Sequence, residues 1–145
     1  MNVRAIVSGY FNPLHRGHID YINTAKLRAD YLIAIVNSDL QVKLKGSIPF
    51  MDEDHRLLIV KNLKSVDLAF VAQDTDKTVS QSLKMIRENF PHDDLLFFNS
   101  GDRKENTSEP EEVKTCQNCN IKYVILDLPK VCSSSELISK YLLPS

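Results

Sequence analysis

Short apolar runs alternate with helix-period segments along the whole chain. Residues 3–7 (Val-Arg-Ala-Ile-Val) are brief, apolar and β-branched at both ends, which predicts a strand. Beyond a turn holding glycine and proline, the segment 19–29 places Ile19, Ile22, Ala25 and Ala29 at helical spacing. Residues 31–36 (Tyr-Leu-Ile-Ala-Ile-Val) form a nearly unbroken apolar run. That pattern predicts a strand covered on both faces, as in a parallel sheet. A polar loop is expected over 37–51, with Lys43-Leu44-Lys45-Gly46 inside it and Pro49 near its end. Asp52 or Asp54 can cap the next helix, which carries Leu57, Leu58, Val60 and Leu63. Residues 66–71 read as a third strand. A polar loop follows, then a helix with Val79, Leu83, Ile86 and Phe90 on one face, ended by Pro91.

Residues 95–98 (Leu-Leu-Phe-Phe) predict a fourth strand, and 99–112 is a long polar segment. A loop of that length is usually a lid, a binding loop or disordered. A short helix is expected near 113–118, a fifth strand over 122–126, and a connector over 129–132. The last helix spans 133–142, with Leu137, Ile138, Tyr141 and Leu142 on one face. Strands alternating with helices predict an α/β fold, a doubly wound sheet of about five parallel strands with flanking helices. In such sheets ligands sit at the carboxyl ends of the strands, beside the point where strand order reverses. The length of 145 residues fits a single domain over 1–145.

Charge narrows the class of partner. The formal net charge is −1, with no basic excess to draw nucleic acid, so any phosphate must be held by a local cluster. Three cysteines (Cys116, Cys119 and Cys132) cannot all pair, and the N-terminus shows no charged-then-apolar leader. A reducing, cytoplasmic setting is expected, with no membrane association, because the apolar runs are too short to span a bilayer. Cys116-Gln117-Asn118-Cys119 has no second pair to complete a zinc site and reads as two free thiols on a peripheral helix.

The chemistry concentrates in Ser8-Gly9-Tyr10-Phe11-Asn12-Pro13-Leu14-His15-Arg16-Gly17-His18. Pro13 argues against one helix through both histidines. His15 is therefore expected in the loop and His18 at the helix start, with Gly17 letting the backbone pass close to a bound group. Imidazoles at a helix N-terminus suit charge on a phosphate oxygen. This stretch resembles the His-x-Gly-His signature of the cytidylyltransferase-like nucleotidyltransferases, among them glycerol-3-phosphate cytidylyltransferases and heptose-1-phosphate adenylyltransferases. The resemblance covers nearly the whole chain and implies a Rossmann-like fold. It also implies transfer of a nucleotidyl group from an NTP to a phosphorylated small molecule, with release of pyrophosphate.

Carried over by position, the resemblance implies that His15 and His18 bind the α- and β-phosphates. Gly9, Tyr10, Phe11, Asn12 and Gly17 belong to the same nucleotide-binding turn. Lys43 and Lys45 match the family's lysine-bearing segment and would neutralise the triphosphate or the acceptor phosphate. Arg56, in Asp54-His55-Arg56, matches an acid-x-Arg helix and would face the site; a surface pair with Asp52 or Glu53 is the other reading. Asp102, in Ser100-Gly101-Asp102-Arg103, would orient acceptor or ribose hydroxyls or support a lysine, although Gly-Asp also simply favours a turn. Ser133, Ser134 and Ser135 match a Ser-Thr-Thr segment closing over the phosphates, and Ser133-x-x-Glu136 is also a capping box. Magnesium would bridge the triphosphate, mostly through water and phosphate oxygens. The donor is CTP or ATP, with CTP slightly ahead, and relatives are commonly homodimers.

Two departures stand out: Asn12 occupies a position where many relatives have aspartate, and no Arg-Thr-Glu-Gly run precedes the last helix. Asn12 keeps open a nucleotide-binding sensor or regulatory protein without turnover. A dinucleotide-binding oxidoreductase weighs little, because the first turn has no Gly-x-Gly-x-x-Gly.

Overall fold

The computed structural model describes residues 2–100 and 110–128. In chain order the elements are β1 (Val3–Gly9), α1 (Arg16–Lys26), β2 (Tyr31–Val36), α2 (Asp39–Leu44), α3 (Glu53–Lys61), β3 (Leu68–Val71), α4 (Ser80–Asn89), β4 (Asp94–Ser100), α5 (Pro110–Asn118) and β5 (Lys122–Leu126). The strands form one sheet in the order β3-β2-β1-β4-β5, and every neighbouring pair is parallel. This is the doubly wound α/β arrangement expected. Strand order reverses between β1 and β4, and the carboxyl end of β1 is where the histidine turn begins.

β2 explains why the sheet is buried on both sides. Residues 32 to 36 are at most 1% exposed. Leu32, Ala34 and Val36 join one core cluster with Ala5, Val7, Tyr21, Ile22 and Val60, under α1 and α3. Ile33 and Ile35 join the other with Ile6, Leu83, Ile86 and Cys116, under α4 and α5. The alternation follows from the two-residue side-chain period of a strand, and both halves are apolar because helices cover both faces.

The caps fix where the helices start. Asp52, the first of the two acids considered, accepts the His55 N–H at 2.8 Å and opens α3. At α4 the cap residue Val79 supplies no side-chain bond. Asp74 serves instead, accepting from Gln81 N–H at 2.7 Å and from the Ser82 hydroxyl.

Several boundaries differ from the expectation. The segment 37–51 is not all loop: α2 lies inside it, nucleated by a capping box between Ser38 and Gln41. The third strand starts at Leu68 rather than residue 66, and β4 takes in Asn99 and Ser100. Residues 110–112 belong to α5 rather than to the polar segment before it. The connector 129–132 and the helix 133–142 lie outside the described residues, as do 101–109. Among the described residues no helix is long and apolar enough to cross a membrane.

Candidate active site

The turn after β1 is built by packing before it offers any chemistry. Phe11 has a left-handed backbone (φ 50°) and is 1% exposed. Its ring folds back beneath Gly9, so close that a Cβ on Gly9 would lie 2.8 Å from Phe11 Cζ. Glycine is needed at position 9 for that space and not for its backbone angle, since Gly9 is ordinary strand. The Phe11 ring also meets His18 edge-on, with centroids 5.0 Å apart. The Asn12–Pro13 peptide is cis.

His15 is the N-cap of α1 and His18 lies in its first turn, as the proline argument requires. Their rings stack with centroids 3.9 Å apart and planes 27° from parallel. His15 Nδ1 accepts the Gly17 N–H at 3.0 Å, and His18 Nδ1 accepts the His15 N–H at 3.1 Å. A ring nitrogen that accepts from an amide carries no proton, so both rings carry their proton on Nε2. Two imidazole donors therefore stand together at a helix N-terminus, where the dipole favours an anion.

Arg56 does not make the surface pair with Asp52 or Glu53: it is 0% exposed and reaches the histidine turn from within. Its Nη1 donates to the Tyr10 carbonyl at 2.8 Å and the Asn37 carbonyl at 2.6 Å. Nε donates to the Met51 carbonyl at 2.9 Å, and Nη2 pairs with Asp39 at 2.7 Å. One guanidinium thus ties the ends of β1 and β2 to the starts of α2 and α3. Glu53 is occupied elsewhere, accepting the Asp39 N–H at 2.8 Å. All of the Arg56 bonds described here run to the chain itself, two of them to the Tyr10 and Asn37 carbonyls at the ends of β1 and β2.

Asn12 is also turned inward, 7% exposed, with its side chain bonded to the 48–51 segment. Lys43 is exposed in the last turn of α2, and Lys45 is the C-cap of that helix. Lys45 Nζ lies 4.2 Å over the Tyr10 ring, which brings one cation of the lysine pair to the histidine turn. Gly46 follows at φ 89°, a left-handed position that glycine fills without strain. Gly17 lies inside α1 and donates to His15. Asp102, Ser133, Ser134 and Ser135 lie outside the described residues, as does Cys132.

One supporting residue escaped the reading of the sequence. Gln41 is 0% exposed and accepts from Asn37 Nδ2 at 2.9 Å and Ser38 N–H at 3.1 Å. Its amide donates to the carbonyls of Asp76 at 2.9 Å and Thr78 at 2.8 Å, fastening α2 to the loop before α4. The signal was present as Ser38-x-x-Gln41, a capping box. The Cys116 thiol lies on the buried face of α5, and burial, with Glu112 and Cys119 nearby, pushes it up to about 12.

Residues 6–140 match the model of the cytidylyltransferase-like family. An FAD synthase from Thermoplasma acidophilum is 38% identical over 79 residues, covering 53% of this chain and 56% of that protein. The bifunctional protein HldE of Pasteurella multocida is 34% identical over 138 residues, covering 93% of this chain and 27% of that protein. The chain therefore spans about half the length of the first and about a quarter of the second. Among solved structures, a lipopolysaccharide core biosynthesis protein from Thermoplasma volcanium superposes with a TM-score of 0.66 at 26% identity, over 88% of this chain and 98% of that one. The stretch matched by the family model runs from β1 past β5 and contains the histidine turn, the lysine pair and Arg56; the chain belongs to the cytidylyltransferase-like family.

Proposed function

We propose that this chain is a nucleotidyltransferase, moving a nucleotidyl group from an NTP to the phosphate of a small-molecule acceptor. The observation that carries this reading is the stacked His15–His18 pair, capping α1 at the carboxyl end of β1 beside the strand-order reversal. An acceptor phosphate oxygen attacks the α-phosphorus, the α–β anhydride bond breaks, and pyrophosphate leaves with the electron pair. The nucleophile arrives ionised, so the protein's work is to hold two polyanions in line and spread the charge that develops. His15 and His18 donate from Nε2 to α- and β-phosphate oxygens. Lys43 and Lys45 offset charge on the triphosphate or acceptor, while Gly9, Phe11 and Arg56 hold the turn. Asp102 and Ser133 to Ser135 keep the roles their motifs imply.

Among the described residues no group of three or more His, Cys, Asp or Glu side chains is placed to hold a metal ion. A magnesium ion brought in with the triphosphate would supply neutralisation of phosphate charge. The relative named FAD synthase favours ATP as donor, because FAD is an adenylate joined to a flavin phosphate. CTP, and sugar or polyol phosphates, are the competing arms of the test.

The test is a pyrophosphate-release screen with magnesium, pairing ATP and CTP with flavin, sugar and polyol phosphates. At least one pair turns over, and His18→Ala lowers that rate about 10²–10³-fold, the usual cost of losing one oxyanion donor. A His18→Ala protein at the wild-type rate overturns the assignment. Nucleotide binding with no pyrophosphate from any acceptor would instead establish the sensor reading. That reading rested on Asn12, whose amide is engaged with the chain itself. A homodimer, if formed, shows as twice the chain mass in sedimentation.

A further inference from the structure

We propose that Asn12 is a positioning residue whose side-chain amide latches the 48–51 segment to the histidine turn and so sets one wall of the acceptor side. The consequence for the acceptor rests on the transferase reading above, whereas the latch itself does not. Asn12 Nδ2 donates to the Ile48 carbonyl at 2.9 Å. Its Oδ1 accepts from Phe50 N–H at 2.6 Å and Met51 N–H at 3.2 Å. Only one orientation of the amide satisfies a carbonyl on one side and two amide hydrogens on the other, so the arrangement reads chemically in a single way. An aspartate of the same shape accepts the two N–H groups but has nothing to donate to Ile48.

The segment is held a second time, by Arg56 Nε on the Met51 carbonyl, while the same guanidinium holds the Tyr10 carbonyl. Turn and segment are therefore fastened to each other directly through Asn12 and jointly through Arg56. On this pinned backbone Ile48 is 81% exposed and Phe50 is 52% exposed. Two apolar side chains kept in water by a firmly bonded backbone, just after Lys45 on the Tyr10 ring, make a wall suited to a phosphorylated molecule with an apolar body. Sheet order assigns the side. The crevice of the strand-order reversal lies between β1 and β4, and the 48–51 segment follows β2 and α2 on the opposite flank of β1. A nucleotide in the crevice leaves this flank to the acceptor.

Amide hydrogen exchange tests the latch without any substrate. In Asn12→Ala the Phe50 and Met51 amides exchange at least about tenfold faster, the effect of losing one buried acceptor, while the β2 amides keep their protection. In Asn12→Asp both amides stay protected. Unchanged exchange at Phe50 and Met51 in Asn12→Ala overturns the latch. Steady-state kinetics with the best donor–acceptor pair tests positioning. Asn12→Asp raises the acceptor KM about tenfold and leaves the NTP KM unchanged, and Phe50→Ala shifts the acceptor KM in the same direction without altering Met51 exchange. Equal changes in both KM values overturn the assignment to the acceptor side. If no pair turns over, the transferase reading fails and the exchange result still decides the latch.

Discussion

Replacing Gly9 by alanine puts a single methyl group into the tightest contact of the turn. Gly9 is strand residue, so alanine's backbone is allowed and the whole cost is steric. The added Cβ lies 2.8 Å from Phe11 Cζ, 2.9 Å from Cε1 and 3.2 Å from Cε2. Carbon atoms in comfortable contact sit about 3.5–4.0 Å apart, so the ring must retreat by roughly 0.7–1.2 Å. The ring is 1% exposed and also meets His18, with centroids 5.0 Å apart. Overpacking of that kind costs about 1–3 kcal/mol, which lowers the melting temperature by about 3–10 °C in a domain of this size. A displaced ring disturbs its contact with His18, so pyrophosphate release should fall about ten- to a hundredfold even where the protein stays folded. Thermal denaturation and the release assay are run on Gly9→Ala, Phe11→Leu and the double variant. Leucine removes the ring atoms that clash, so the double variant melts higher than additivity predicts, by about 1 kcal/mol of coupling. A Gly9→Ala protein that melts and turns over like the wild type refutes this account of the turn.

Arg56→Ala leaves the Tyr10, Asn37 and Met51 carbonyls without their donor and the Asp39 carboxylate without its cation; urea denaturation should show a loss of about 3–5 kcal/mol. Arg56→Lys recovers only part of that, because one ammonium cannot reproduce the guanidinium fork. Asp67 gives an acid-side effect: burial alone would raise its carboxyl, but bonds from Lys26 and the Leu32 N–H, with the Lys26 and Arg4 charges, outweigh it and hold it below 3.8. A lowered carboxyl contributes stability above its unfolded value and loses it as pH falls through the folded one. The melting-temperature gap between wild type and Asp67→Asn should therefore narrow as pH drops below 3.8, and a gap constant from pH 6 downward contradicts the pairing.

Much of the fold was legible because its signals were local. The bounds of β2 and β5 agree with the apolar runs that predicted them; in β2 the run is unbroken because both faces are buried. α2 was missed because Leu40, Val42 and Leu44 alternate with period two. Its helix is set by the Ser38–Gln41 caps and by Gln41 reaching the Asp76 and Thr78 carbonyls. The histidine pair was readable from Pro13 and Gly17, but Arg56 and Asn12 were not. Apart from the Asp39 carboxylate, their partners are backbone carbonyls and amides, most of them far along the chain, and a carbonyl has no letter in a sequence. Asn12 was placed in the nucleotide-binding turn and Arg56 was read as facing the site or pairing with Asp52 or Glu53; neither reading held the bonds that burial gives them within the chain.

The Nδ1 bonds of the histidines have one more consequence. Each ring spends its lone pair on an amide of its own helix start, so each can give a hydrogen bond but cannot take a proton without breaking that cap. Stripping a proton from water would cost either ring that helix-start bond. In the proposed reaction a triphosphate bound at this turn is therefore not handed to solvent by the groups that hold it. On that reading idle hydrolysis is expected to be slow, and an acceptor carrying only a neutral alcohol to gain little from this pair.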